Sequence, residues 1–324
     1  MYSNARDDDE AARGRGAHWP IHIGWMGWKD ILWRTWIESL KDDIGLIAAG
    51  VAFYGFLAIV PTLAVFVLGY GLFADPQTVS EHLRLLFALL PQDAATLIGD
   101  QLVSVTSAAT KKTGLGVVTA TALSLYGVMS GAGAIIKALN VAYDEKETRS
   151  VLRVTWLALR VSVAIICVAV CSALAIGALA WAEALIPAAP PAVILLVRVA
   201  FWCFAALATV VMVSTIYRYA PNRARARWRW LTAGSAFATL GWLGTSLGFG
   251  FYAANFANYN ATYGALSAVV VTLMWLYLSA YILLLGAEFN AEIEHQTAID
   301  TTVGAPKPMG DRRAYVADTL GASH

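Results

Sequence analysis

Charge is scarce in this chain: Asp, Glu, Lys and Arg together make up 14% of 324 residues, while 58% are hydrophobic. Soluble domains carry about a quarter charged residues, so an ordinary water-soluble globule is excluded. The 23 basic and 22 acidic residues leave a net charge of +1, which excludes a globally basic nucleic-acid binder. Cysteine is nearly absent. Cys167, Cys171 and Cys203 all lie inside apolar stretches without metal-ligand spacing and read as small packing residues in lipid. Of the five histidines only His18 and His22 are close together, with no acidic residue between them, so no metal site is expected. Phosphate-cradling and nucleophile-elbow motifs are missing too, and Gly248-Phe-Gly250 sits within an apolar run rather than at a strand-to-helix turn. No catalytic residue, no cofactor and no enzymatic activity are expected. The first 20 residues hold no apolar core followed by a small-residue cleavage site, so no cleaved signal peptide is expected.

What the chain has instead is long apolar runs, with a mean hydropathy of +0.60. A bilayer core of about 30 Å needs about 20 apolar residues at 1.5 Å rise. Six stretches qualify: 44–72, 114–136, 154–186, 192–217, 231–253 and 264–287. The fold class expected is therefore all-α: a polytopic membrane protein with six transmembrane helices plus interfacial amphipathic helices. A polar N-terminal tail (1–24) precedes a membrane domain (25–295), and 296–324, rich in Thr, Ala, Gly and Pro, reads as a loosely ordered cytoplasmic tail. Trp25, Trp28, Leu32, Trp36 and Leu40 recur at spacings of three and four, the pattern of an amphipathic helix lying at the headgroup level. An outer helical segment is expected over 77–110, broken at Pro91. With six spans, nineteen Lys and Arg residues fall on one side and four, Arg84, Lys111, Lys112 and Arg198, on the other, which places both termini in the cytoplasm.

Ionisable groups at membrane depth point to function, since each costs at least ~2.5 kcal/mol at the bilayer centre on insertion scales. Arg149, Arg153 and Arg160 share one face at spacings of four and seven, with Trp156 between them. Arg160 lies about two turns inside the third span and either snorkels to the interface or faces inward, pairing with a carboxylate such as Asp43 or Glu288 or holding a phosphate. Asp43 and Glu288 are also the candidate protonatable groups. Asn255, Asn258, Tyr259 and Asn260 lie in an uncharged aromatic segment that is either an interfacial belt or a polar lip over an outer cavity. Pro61 should bend the first span, and Gly127, Gly131, Gly244 and Gly248 offer surfaces on which helix backbones can approach closely.

Three segments resemble one family. They are Asp43-Ile-Gly-Leu-Ile-Ala-Ala-Gly through Phe53-Tyr54 to Pro61, Ser130-Gly-Ala-Gly through Lys137 and Asn140 to Tyr143, and Tyr217-Arg218-Tyr-Ala-Pro221-Asn222-Arg223 onward to Gly286-Ala-Glu288-Phe-Asn290-Ala-Glu292. On these the chain is similar to the YihY/BrkB inner-membrane proteins over roughly Trp28 to Glu294, although Gly55 and Phe56 depart from the family pattern. The resemblance implies a six-helix bacterial inner-membrane protein with cytoplasmic termini. Family members have carried a ribonuclease label and have been linked with virulence, serum resistance and envelope lipid export. Nothing in this sequence supplies the clustered His and Asp ligands that metal-dependent phosphodiester hydrolysis needs. The expectation is a transporter or flippase-like exporter of an anionic envelope amphiphile, with membrane lipids and that cargo as partners and no nucleic acid. The alternative is a non-transporting structural or regulatory scaffold of the envelope. Oligomeric state is unspecified.

Overall fold

The computed structural model describes residues 10–70, 115–164, 190–255 and 267–323. The expected outer segment 77–110, the third span from residue 165 onward, Cys167, Cys171, Asn258, Tyr259 and Asn260 lie outside these residues. What is described is helical, without strands; an isolated antiparallel bridge joins Ala226 and Thr302. Helix α1 runs Trp25–Lys41, α2 Ile44–Tyr70, α3 Leu115–Ala142, α4 over 151–164, α5 Pro191–Tyr219, α6 Trp228–Asn255, α7 Ser267–His295 and the short α8 Tyr315–Asp318. Among the described residues two helices, Ala192–Tyr219 and Val269–His295, are long and apolar enough to cross a membrane, or three if the bent pair of Trp25–Lys41 and Ile44–Ile59 counts as one span. The protein is a helical membrane protein.

Local chemistry explains where the helices stop. Asp43 and Asp144 both have positive φ, 51° and 54°, and end α1 and α3 in the left-handed conformation that Asp tolerates better than most residues. At the first of these breaks the chain turns by 64°. The Asp43 carbonyl then accepts from the amides of Leu46 and Ile47, so the residue that ends one helix begins the next. Pro191 opens α5 at a position where its missing N–H costs nothing. Pro61 lies within α2, and its side chain is not among those described.

Helix α7 is the hub, packing against α1, α2, α3, α6 and α8. The buried apolar side chains gather at one end of the bundle: Ile44 and Ala48 of α2, Ile136 and Leu139 of α3, Val213 and Tyr217 of α5, Leu231 and Ala238 of α6, and Leu284, Ala287 and Ala291 of α7. Further along, the helices present their apolar residues outward. None of the apolar window of α5 is buried within the chain, and Leu195, Trp202, Phe204 and Leu207 are exposed. Surface of that kind is suited to a lipid environment.

Helix α1 is amphipathic, with its polar side facing the protein. Asp30, Arg34, Thr35 and Ser39 are buried, whereas Trp25, Leu32, Trp36 and Leu40 are exposed. Its apolar face is free to lie in a membrane interface while its polar face docks on α7.

The C-terminal tail corrects an expectation. Its composition suggested loose order, but Gln296, Thr297, Thr301, Thr302, Arg312, Val316 and Ala317 are buried. The tail is held by partners far away in sequence. Ala298 N–H donates to the Arg15 carbonyl, Thr297 Oγ1 to the Ala17 carbonyl, Arg227 N–H to the Thr301 carbonyl, and Val303 N–H to the Arg225 carbonyl. Arg15 and Arg34 donate to the carbonyls of Gly321 and Ala322. Polar backbone satisfied by arginine needs no apolar periodicity, so composition could not reveal it. The two terminal segments therefore lie together at the packed end.

Candidate functional site

The packed end of the bundle is built around the last two turns of α7, where acidic residues alternate in the run from Glu288 to Glu294. Helical spacing sends them in different directions. Glu292 faces α1 and is ion-paired with Arg34, whose Nη2 also donates to Gln296 Oε1 at 2.8 Å. Glu294 points the other way and takes both ends of the Arg223 guanidinium, at 3.1 and 2.7 Å. It also accepts from Thr301 Oγ1 at 2.7 Å, while Arg223 stacks 5.0 Å from the Tyr143 ring centroid. Asn290 bridges to α6, accepting from Gly234 N–H at 2.8 Å and donating to the Leu231 carbonyl at 3.1 Å. Buried charges of this kind persist only when paired and hydrogen-bonded.

Gly234 and Gly286 let α6 and α7 approach closely. A Cβ at Gly286 would meet Ala238 Cβ at 2.7 Å and the Tyr217 hydroxyl at 2.8 Å, and one at Gly234 would collide with Asn290 and the Gly286 carbonyl. The glycines expected to serve this role do so only in part. Gly131 packs α3 onto Tyr54 and Ala58 of α2 at ordinary contact distance, Gly127 is half-buried, and Gly244 and Gly248 face open space. The spacing of Gly244 and Gly248 suggested an interface, but at this level α6 meets α7 through Trp242, which donates to Ser279, and Ser246, which accepts from Trp275, rather than through the glycines.

The three candidate arginines separate. Arg149 is tied to Glu147, with Nε to Oε1 at 2.8 Å and Nη2 to Oε2 at 2.6 Å, and Nη2 also donates to the Ala220 carbonyl at 3.0 Å. Those bonds hold the Glu147 carboxyl down at about 2. Arg149 therefore clamps the 144–150 turn to the end of α5 and is not free to meet a ligand. Asn140 supports the same turn by donating to Glu147 Oε2 at 3.0 Å and accepting from Asn222 N–H at 2.7 Å. Arg153 and Arg160 are exposed and form no ion pair among the described residues. The inward pairing of Arg160 with Asp43 or Glu288 is thus overturned. Ala158, Val161 and Ser162 form the buried side of α4, and 100° per residue carries Arg160 to the opposite side.

Asp43 is exposed and acts through its backbone at the α1–α2 break, with no ion pair among the described residues. Asp42 takes the place expected for it. It lies beside Glu288, and its carboxyl is pushed up to about 6, first by burial and then by the neighbouring charges of Asp144 and Glu38. Glu288 itself is 3% exposed, and among the described residues its Oε1 has no hydrogen-bond partner. Asn255 is the last residue of α6, and its side chain is not among those described. Sequence reasoning did not assemble the buried cluster of Arg34, Arg223, Asn290, Glu292 and Glu294; the last three carried one visible signal, charge and amide gathered at the end of an apolar run. A cleft of about 380 Å³ opens at this end between α1, α7 and the tail, lined by Arg34, Glu292, His295, Tyr315 and Thr319. Among the described residues, no three His, Cys, Asp or Glu side chains converge as a metal site.

This geometry lies within the stretch that known proteins share. Residues 35–310 match the family described as virulence factor BrkB. The chain belongs to that family. Among its relatives, YfkH of Bacillus subtilis, a protein named as ribonuclease-like, is 34% identical over 175 residues, covering 52% of this chain and 62% of its own length. A UPF0761 membrane protein of Alteromonas mediterranea is 25% identical over 270 residues, covering 81% of this chain and 87% of its own. Another, from Nitrosospira multiformis, is 28% identical over 273 residues, 82% of this chain and 61% of its own. The match thus spans less than two thirds of the length of YfkH. No solved structure matches the chain.

Proposed function

We propose that this BrkB-family chain is a six-span protein of the bacterial inner membrane, both termini cytoplasmic, that binds and moves an anionic envelope amphiphile without catalysing a reaction on it. The arginine stripe of α4 carries the reading. Arg153 and Arg160 stand on one exposed face, Trp156 beside them, and are separated by seven residues, or about 10 Å along the axis. A guanidinium unpaired in lipid costs ~2.5 kcal/mol or more, and an anionic headgroup offsets that cost through charge-assisted hydrogen bonds. Two such groups at successive depths give a headgroup a path from the interface inward, while the outward apolar faces of α5 and α6 suit acyl chains. The orientation is supported by the lysine and arginine bias and by the hydrogen-bonded meeting of the two terminal segments at one end.

A scaffold role is favoured by a different observation, the close packing of α6 on α7 at Gly234 and Gly286 together with the buried ion pairs. The test is the lipid that copurifies with the full chain, measured by native mass spectrometry against the bulk membrane. An anionic amphiphile enriched in the wild type and lost in Arg160→Ala, with the melting temperature unchanged, supports transport. A bulk-like lipid profile in both proteins overturns transport and leaves the scaffold.

A further inference from the structure

Five arginines lie in and beside the turn between α5 and α6, Arg218 in the last turn of α5, Arg223, Arg225 and Arg227 in the connection and Arg229 in the first turn of α6, and the fold divides them into two groups. Two are turned inward and satisfied. Arg223 is locked to Glu294, and Arg227 donates to the carbonyls of Thr302 and Gly304 at 2.9 and 3.3 Å. The other three pair with no carboxylate among the described residues and rest on aromatic rings. Arg218 lies 4.5 Å from the Trp228 ring centroid and 5.6 Å from that of Tyr219, Arg225 lies 5.0 Å from Tyr219, and Arg229 lies 4.7 Å from Trp19. Arg218 Nε and Nη1 and Arg229 Nε are shielded from water and have no hydrogen-bond acceptor among the described residues.

Ring stacking holds a guanidinium by its face and leaves the N–H edge directed elsewhere, which is the edge that grips phosphate. The rings themselves, Trp19, Tyr219 and Trp228, are 40 to 46% exposed, as interfacial aromatics are. All of this sits where one membrane helix ends, at Tyr219, and the next begins, at Trp228. We infer that Arg218, Arg225 and Arg229 form a resident interfacial surface that binds the phosphates of anionic phospholipid in the leaflet on that side. The site is separate from the Arg153 and Arg160 stripe and does not rest on the transport reading. Its occupant is a lipid rather than a free anion because the ring faces give acyl-chain carbons a surface beside the guanidinium edges. Its role is to hold the α5–α6 turn at the headgroup plane.

The experiment titrates the delipidated full chain with phosphatidylglycerol and with phosphatidylcholine of the same acyl chains, counting bound lipid by native mass spectrometry. Juxtamembrane arginines contribute ~1 kcal/mol each toward anionic lipid, so the wild type should prefer phosphatidylglycerol by roughly tenfold or more. That preference should be lost in Arg218→Gln/Arg229→Gln and retained in Arg153→Gln/Arg160→Gln. Should the first double variant fail to fold, Arg225→Gln alters the exposed member of the three and should lower the preference on its own. Equal binding of the two lipids by the wild type, or an undiminished preference in the folded Arg218, Arg229 or Arg225 variants, overturns the site. Loss of preference only in the Arg153 and Arg160 variant does the same and moves the anion to α4. Inorganic phosphate that competes away the lipid at millimolar concentration also overturns the lipid assignment.

Discussion

At the scale of single residues, arginines close in sequence have different roles because their neighbours differ. Arg223 and Arg225 are two positions apart, yet one is clamped in a buried pair with side-chain exposures of 2% and 0% and the other is exposed on a ring face. Removing one partner of a buried pair leaves the other charge uncompensated and costs about 3–5 kcal/mol. Arg223→Ala should therefore destabilise the protein by about that amount in detergent denaturation. Lys41→Ala, which breaks only the exposed pair with Glu38, should change stability by less than about 1 kcal/mol. Asp42 tests the acidic cluster. Its folded value is raised to about 6 from an unfolded value near 3.8, so the folded state holds a proton the unfolded state has released. Stability from this group is intact below about 4 and falls as pH rises through about 6. Asp42→Asn should raise the melting temperature at pH 7 relative to the wild type, with the difference shrinking as pH falls to about 4. Glu147 has the opposite sign: held at about 2, its contribution is present above its unfolded value and is lost as pH falls toward 2.

At the scale of elements, hydropathy was sufficient to find the helices but not their contacts. The run from Gly264 to Ala287 announced a span, whereas α7 continues to His295, with its polar turns inside protein rather than in water. Periodicity also found α1 and its tryptophans but could not say that the polar face would be the buried one. Glycine spacing was informative at Gly131, which packs on α2, but not at Gly244 and Gly248, because small residues permit close approach without requiring it. Gly234→Ala should overpack the α6–α7 contact and cost about 1–3 kcal/mol. Gly244→Ala, facing open space, should be neutral or stabilise by up to about 1 kcal/mol through helix propensity. Thermal unfolding of the two single variants in the same detergent distinguishes them.

At the scale of the whole molecule, the N-terminal segment, the α5–α6 turn and the C-terminal tail form one polar layer over the packed end of the bundle. Arg15 reaches Gly321, Arg34 reaches Ala322, and Arg312 closes the tail on itself through the carbonyls of Ala298 and Ala317. Deleting residues 297–324 strips these acceptors from buried guanidinium groups. It should lower the melting temperature and speed amide exchange in residues 10–40, read by hydrogen–deuterium exchange mass spectrometry; unchanged exchange there would show that the layer adds no stability. The sequence by itself determined the solvent: apolar runs of about 20 residues and a charge density of 14% dictate helices in a bilayer, because lipid leaves backbone polar groups no external partner. It also carried the lysine and arginine bias on which the proposed orientation rests. Only the tertiary structure decided which charges would meet. Pairing across some 260 residues, as between Arg34 and Glu292, depends on how α1 turns at Asp43 to lie against α7, and no local pattern encodes that turn's partner.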